Sequence, residues 1–519
     1  MWRTSPTVSR GGWARWAFPA LIAVLAIVAF LPAVHHEFLN WDDARNFVDN
    51  PAYRGLGAGQ LRWMFTTFHM GHYIPLTWIT FGLDYLLWGL NPAGYHLTNV
   101  LFHAATALAV YFLALRLTRL ALADASEHDR RIGAALAALV FAIHPLRVES
   151  VAWVTERRDV VSGLFYALTV IAYLKAVDGT ERARPTWYWA SVGLFACGLL
   201  SKSIVVSLPV VLLALDVYPL RRLGGVRGWR RPAVWLEKLP YLVLGLVAAI
   251  VAFRALATIG NTRSLAEMSA LYRTVLSIYG LAFYLWKSVM PFGLSPLYQL
   301  DFTVTWFHFG AVALLLALAV LLRRRAPAFT VAAVAYVVTL LPVLGFFQNG
   351  PQAAADRYTY LACLGWAVLL GGLAARPWRG RDVTRVVLAV WVLALLPLTW
   401  QQVGVWRNSV TLWSHAIALA PNSRAAHFNL GGAHEEAGRY AAAVAEYEEV
   451  ARLSNRFKGR WYVTIGWNYE KARVDRLALA AFRTALNLEP GLRDACEGVV
   501  RVAKRLAVEP GLRPGCPDG

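Results

Sequence analysis

The chain has 519 residues, of which 58% are hydrophobic and 16% charged, with a formal net charge of +20. Soluble globular proteins carry about 45–50% apolar and about 25% charged residues, so this balance excludes a large soluble enzyme, a disordered chain and a fibre. It reads as an integral membrane protein, and the excess arginine, held in short clusters between apolar runs, suits cytoplasmic loops rather than a nucleic-acid surface.

In chain order, the first apolar run covers 17–34 behind Arg3, Arg10 and Arg15 and reads as a retained signal anchor. Further apolar runs lie near 97–115, 132–146, 159–174, 187–200, 203–220, 239–258, 271–290, 304–322, 328–347, 358–374 and 386–403. The stretch 74–90 carries Asp84 and is broken at Pro75 and Pro92, which predicts a membrane-surface or half-buried helix. Arg116, Arg119, Arg130 and Arg131 form one basic cluster. Arg182 with Arg184, the five arginines from Arg221 to Arg231, Arg323–Arg325, and Arg376 to Arg385 form the others. Positive charge places these clusters and the N-terminus in the cytoplasm. An odd number of runs separates Arg231 from Arg323, so one of them does not span; 271–290, interrupted by Arg273 and Lys287, is the weakest. About eleven spans remain, with the C-terminus outside.

Past residue 403 the apolar runs stop and a helical repeat begins. One unit carries Asn429, Leu430, Gly431, Gly438, Tyr440, Ala443 and Tyr447; the next carries Tyr462, Ile465, Gly466, Tyr469, Ala478, Phe482, Ala485 and Pro490. Gly431 and Gly466 are 35 residues apart, close to the ~34-residue tetratricopeptide period. Such arrays bind peptides or proteins and carry no chemistry of their own. The domain plan is therefore a membrane domain at 1–403 with a long first outer loop at 35–96, repeats at 404–508 and a tail at 509–519. Cys197 and Cys363 read as packing residues; the sequence leaves pairing of Cys496 with Cys516 open.

Chemistry has few places to sit. The outer loop contains Asn40-Trp41-Asp42-Asp43, and adjacent carboxylates suit general-base work because one tunes or orients the other. His69, His72, Tyr73, Pro75 and Asp84 make the same loop a folded insert. A second polar island runs from His144 through Arg147, Glu149 and Ser150 to Glu156-Arg157-Arg158-Asp159, and Ser201-Lys202-Ser203 and Asp356-Arg357-Tyr358 follow on the same expected side. A base on one side and cations on the other is what a reaction with a phosphate leaving group needs. No Gly-x-Ser-x-Gly, Walker loop, His-Glu-x-x-His or dinucleotide fingerprint occurs, and the histidines are too scattered for a metal box.

The order of these motifs resembles a known family. Asn40-Trp41-Asp42-Asp43, Pro75-Leu76-Thr77, Gly89-Leu90-Asn91-Pro92, His96-Leu97-Thr98-Asn99, His144-Pro145, Glu149-Ser150-Val151, Ser201-Lys202 and Asp356-Arg357-Tyr358, followed by repeats, resemble bacterial relatives of the transmembrane-and-tetratricopeptide-repeat protein O-mannosyltransferases, in the GT-C glycosyltransferase superfamily. The resemblance implies an all-α polytopic fold and an inverting transfer of mannose or another hexose from a polyprenyl-phosphate carrier to Ser or Thr of envelope proteins. It implies Asp42 and Asp43 as the catalytic pair. Arg357, Lys202, Arg158 and His144 would hold the phosphate or donor, supported by Glu149, Asp356 and Tyr358. No tightly bound cofactor and no metal are implied, and the partners are the lipid carrier and a protein or peptide acceptor on the repeats. The location would be a bacterial inner membrane, N-terminus cytoplasmic, with the first loop and the repeats periplasmic. Two departures stand out: Ile74 replaces an arginine often found before Pro-Leu-Thr, and the array has only about two and a half units. The alternatives are a non-enzymatic membrane scaffold whose repeats recruit envelope partners, and a lipid-linked sugar transporter.

Overall fold

The computed structural model describes residues 16–177, 184–223, 228–260, 267–300, 303–345, 352–454, 458–510 and 516. Arg3, Arg10, Arg15, Arg182 and Arg227 of the basic clusters, and most of the tail, fall outside them. Among the described residues almost every segment is helical. Two short strands, Tyr298–Gln299 and Gln352–Ala354, pair antiparallel.

Among the described residues five helices are long and apolar enough to cross a membrane: Ala17–His35, Pro92–Ala121, Val154–Val177, Pro232–Ala257 and Arg381–Val405. Two bent pairs, Glu127–Ile143 with Pro145–Ala152 at 58° and Asp356–Ala362 with Leu364–Ala375 at 51°, bring the number to seven if each pair is one span. The protein is an all-α polytopic membrane protein; among the described residues the helices that pass on length and apolarity number five to seven, against about eleven apolar runs expected to span. The difference lies in helix ends. The runs at 203–220, 304–322 and 328–347 fold as Ser203–Val217, Trp306–Leu321 and Pro327–Val343, each short of the ~20 residues that cross a bilayer straight. Helix Ala270–Val289, with Arg273 and Lys287, is not among the five.

Local chemistry sets several of these ends. Asn91 caps Pro92–Ala121 by accepting the Ala93 N–H, with Pro92 at the first helical position. Ser126 caps Glu127–Ile143. That helix stops at His144 because Pro145 drives the preceding residue out of the helical region, and His144 is extended at ψ 133°. Helix Pro75–Trp88 is half-buried: Leu83, Leu86 and Leu87 are exposed while Trp78, Phe81 and Asp84 are buried. Asp84 forms a buried ion pair with Arg157, whose guanidinium also donates to Asn99 Oδ1 at 2.7 Å.

The described chain divides into two compact units. The first takes in Met1–His36, Arg45–Leu294 and Tyr298–Gly404; the second takes in Glu37–Ala44, Ser295–Leu297 and Val405–Gly519. Within the stretch 35–96, the segment Glu37–Ala44 bearing Asp42 and Asp43 groups with the C-terminal helices, and the part from Arg45 onward groups with the first unit. In the first unit, Glu127–Ile143 meets Leu364–Ala375 at Gly133 and Gly371. A Cβ on either glycine would lie 2.3 Å from the carbonyl oxygen of the other, so only hydrogen fits in the crossing.

The second unit is built from helices Ser409–Leu419, Arg424–Glu436, Tyr440–Leu453, Lys458–Lys471, Asp475–Leu488 and Arg493–Leu506, each packed on the next. A Cβ at Gly431 would meet the Tyr447 ring at 2.8 Å, and one at Gly466 the Phe482 ring at 2.7 Å. The same small-residue-under-ring packing thus recurs one period apart. Cys496 and Cys516 form a disulfide that ties the last helix to residue 516.

Candidate functional site

In the first unit the polar motifs lie where spans bend or end. After the break at His144, a turn Pro145–Arg147 and a short helix Val148–Ala152 present Arg147, Glu149 and Ser150. A second turn, Val154–Glu156, leads into Arg157–Val177, whose first turn carries Arg158 and Asp159. Helix Pro185–Ser201 ends at extended Lys202, and the turn Asp356–Tyr358 opens the second bent pair. Because the backbone turns at each place, the side chains converge instead of facing lipid.

They meet in a buried ionic cluster. Lys202 Nζ lies 2.9 Å from Glu156 Oε2 and 2.6 Å from Asp159 Oδ1. Arg158 pairs with both oxygens of Glu156, its Nε at 2.9 Å from Oε2. The Arg357 N–H donates to Glu149 Oε2 at 2.8 Å, and its guanidinium pairs with the other Glu149 oxygen and with Glu156 Oε1 at 3.3 Å. Ser150 donates to Asp159 at 3.0 Å. Burying a charge is costly unless it is paired, and here Glu149, Glu156 and Asp159 neutralise Arg158, Lys202 and Arg357.

The expected phosphate contacts Arg357, Lys202 and Arg158 are thus together, but each is engaged by carboxylate. His144 uses both ring nitrogens: Nδ1 accepts the Leu146 N–H at 3.2 Å and Nε2 faces the Ser288 carbonyl at 3.1 Å. Asp356 accepts from Tyr298 at 2.9 Å, Tyr358 accepts from Gln352 at 3.0 Å, and the Arg357 guanidinium lies over the Tyr358 ring. His72 faces the cluster from outside the spans. Burial, reinforced by Arg158, holds its imidazole well below the ordinary histidine range.

Glu156 and Asp159 belong to the site although the sequence marked them only as part of a polar island. The available signal was Lys202 between two apolar runs, since a charge at membrane depth needs a partner. Arg147 is likewise marked by the sequence only as part of that island. Its Nη2 donates to Thr359 Oγ1 at 2.9 Å, and its guanidinium lies between the rings of Phe141 and Tyr360.

Asp42 and Asp43 sit in the second unit. Asp43 is fully buried, and its Oδ2 accepts the Leu39 N–H at 3.0 Å, closing the turn. Asp42 is half-exposed. The segment is held to the unit's first helices by Asn40. Its N–H donates to Ser409 Oγ at 2.9 Å and its side-chain amide to the Asn429 carbonyl at 2.9 Å, while its side-chain oxygen accepts from Trp413. The Trp41 ring meets Trp413 edge-on at 5.1 Å.

These observations define a polytopic, all-helical membrane protein with a buried ionic cluster at its span breaks and an acidic turn fastened to a C-terminal helical array. Its relatives are proteins named protein O-mannosyl-transferases. It is 25% identical over 495 residues to human protein O-mannosyl-transferase TMTC4, covering 82% of this chain and 65% of that one. It is 24% identical over 460 residues to protein O-mannosyl-transferase F38B6.6 of Caenorhabditis elegans, covering 83% and 62%. A shorter match of 36% over 153 residues, 29% of this chain, reaches mouse protein O-mannosyl-transferase TMTC2. The chain spans between about half and two thirds of the length of the relatives it matches along most of its own. No family model and no solved structure matches it.

Proposed function

We propose that this chain is a membrane glycosyltransferase of the inverting GT-C type, moving mannose or another hexose from a polyprenyl phosphate to a Ser or Thr hydroxyl of an envelope protein. The similarity along 82% of the chain to a protein O-mannosyl-transferase carries the reading. In the step, the acceptor oxygen bonds to the sugar's anomeric carbon as the bond from that carbon to the phosphate oxygen breaks. Polyprenyl phosphate leaves and the hydroxyl proton passes to a carboxylate. Half-exposed Asp42 suits the base, and Asp43, buried against the Leu39 N–H, suits the group that fixes the turn. The C-terminal helices would act as tetratricopeptide repeats that take the acceptor. The disulfide Cys496–Cys516 supports a periplasmic, oxidising location for them; the acidic turn would share that side and the N-terminus would be cytoplasmic in a bacterial inner membrane. The test is transfer of radiolabelled mannose from polyprenyl phosphate to envelope-protein peptides by the purified chain. No transfer from any lipid-linked hexose by folded protein would reject the reading in favour of a scaffold.

A further inference from the structure

We infer that Arg147 is the phosphate contact of the lipid carrier and that the apolar cavity beside it holds the carrier's chain. This rests on the lipid-linked donor of the proposed function. The carrier is a polyisoprenyl phosphate: one long apolar chain ending in a compact anion.

The inference begins with charge. The three expected cations are each paired with carboxylate. Arg147 is only 2% exposed and forms no ion pair among the described residues. Among the described residues its Nε and Nη1 have no hydrogen-bond partner. Thr359 takes Nη2 alone. The neighbouring Cys363 thiol is a weak acceptor, and the rings of Phe141 and Tyr360 attract the cation without accepting its N–H groups in the plane. A guanidinium is always charged and offers a planar fork that fits phosphate. An unsatisfied fork in a buried place is costly and calls for an anion.

The cavity gives the rest. It has a volume of about 440 Å³, with Arg147, His144, Ser288 and Cys363 at its polar part and Leu285, Leu314, Leu318, Trp366 and Trp391 among its apolar walls. Val289 and Leu314 are 64% and 59% exposed, so the cavity opens on the apolar outer surface of the unit, where a lipid chain enters without crossing water. Arg147 and Glu149 stand two residues apart on one segment, and Thr359 and Arg357 two residues apart on another. The contacts Arg147–Thr359 and Glu149–Arg357 therefore form neighbouring rungs between the two bent spans. A phosphate on Arg147 would lie beside the ionic cluster.

The test measures equilibrium binding of polyisoprenyl phosphate to the full chain in lipid nanodiscs, with polyisoprenol and inorganic phosphate as the comparison ligands. Arg147→Gln should weaken lipid-phosphate binding about tenfold or more, the worth of a charge-assisted hydrogen bond. Arg147→Lys should fall between, and the already weak binding of polyisoprenol should not change. Ala311→Trp, which fills the cavity, should weaken binding of both lipids and decides the matter should Arg147→Gln fail to fold. The inference is overturned by unchanged lipid-phosphate binding in folded Arg147→Gln, by polyisoprenol binding as tightly as its phosphate, or by unchanged binding in Ala311→Trp. Sugar transfer is measured in the same preparations. Transfer that is insensitive to Arg147→Gln sinks this inference and leaves the transferase standing. Arg147-dependent binding without transfer to any acceptor leaves this inference and sinks the transferase.

Discussion

The indole N–H of Trp413 donates to the side-chain oxygen of Asn40 at 2.9 Å, joining residues 373 positions apart. With the bonds from Asn40 to Ser409 and Asn429, it makes the acidic turn part of the body that carries the C-terminal helices. An acceptor held on those helices and the carboxylates that would deprotonate it then belong to one unit. Asn40→Ala should lower transfer to protein acceptors several-fold and leave lipid-donor binding unchanged. In a double-mutant cycle with Trp413→Phe, the coupling in unfolding free energy should be about 1 kcal/mol. Additive effects would mean that the bond contributes nothing.

Asp42→Asn and Asp43→Asn should fail differently. Loss of general-base help costs about 10²–10⁴ in rate, and this should appear for Asp42→Asn with normal folding and donor affinity. Asp43 is buried on the Leu39 N–H, so its amide loses a charge-assisted bond and should lower the thermal midpoint as well as turnover. Near-normal turnover in both variants would remove the acidic turn from the chemistry.

The ionic cluster should tolerate the loss of its members unequally. Glu156 faces Arg158, Lys202 and Arg357 together. Glu156→Gln leaves three cations sharing two acids and should destabilise the fold by about 3–5 kcal/mol, as when a buried pair is broken. Lys202→Met leaves Glu156 with two arginines and Asp159 with Ser150, and should cost less. Thermal unfolding of the purified variants gives the order; equal losses would show that Glu156 is not the centre of the cluster.

The pH response of His72 has a definite sign. Its folded pKa lies well below the ordinary value of 6.5 because of burial and Arg158, so below about pH 6.5 the unfolded chain binds more protons than the folded one. Stability from keeping the ring neutral is complete above that pH and is lost as pH falls towards the folded value. His69, also lowered by burial, acts in the same direction. The thermal midpoint should fall between about pH 7.5 and about pH 5.5, and it should fall less in His72→Gln. Identical slopes would exclude His72 as a source.

Reporter fusions at residues 60 and 425 should report the periplasm and one at 226 the cytoplasm. A cytoplasmic signal at 425 would separate the helical array from any periplasmic acceptor.

Much of this architecture was legible in local pattern. Composition announced a membrane protein, and Gly431 with Gly466 announced a repeat whose rings, Tyr447 and Phe482, pack as small residues allow. What escaped depends on long-range partners. Asn40 reads as an ordinary loop residue because its contacts lie 369, 373 and 389 positions away. Lys202 and Arg158 read as free cations because Glu156 and Asp159, which neutralise them, sit at the start of an apolar helix, and Arg357 because its main partner, Glu149, lies 208 positions away. Arg147 was overshadowed for the converse reason, since its lack of an ion pair among the described residues is visible only once those partners are placed. Apolar runs and long helices do not coincide because hydropathy finds apolar runs, while helix ends follow caps and prolines, as at His144–Pro145.

The crossing at Gly133 and Gly371 has an evolutionary consequence. Each glycine's missing Cβ would strike the other's backbone carbonyl, not its side chain, so no change at one position makes room for a change at the other. Most contacts drift in sequence by compensating pairs; this one offers no such path. Homologues that keep the same helix crossing should keep both glycines, and a lineage that has lost one should show the two bent spans moved apart.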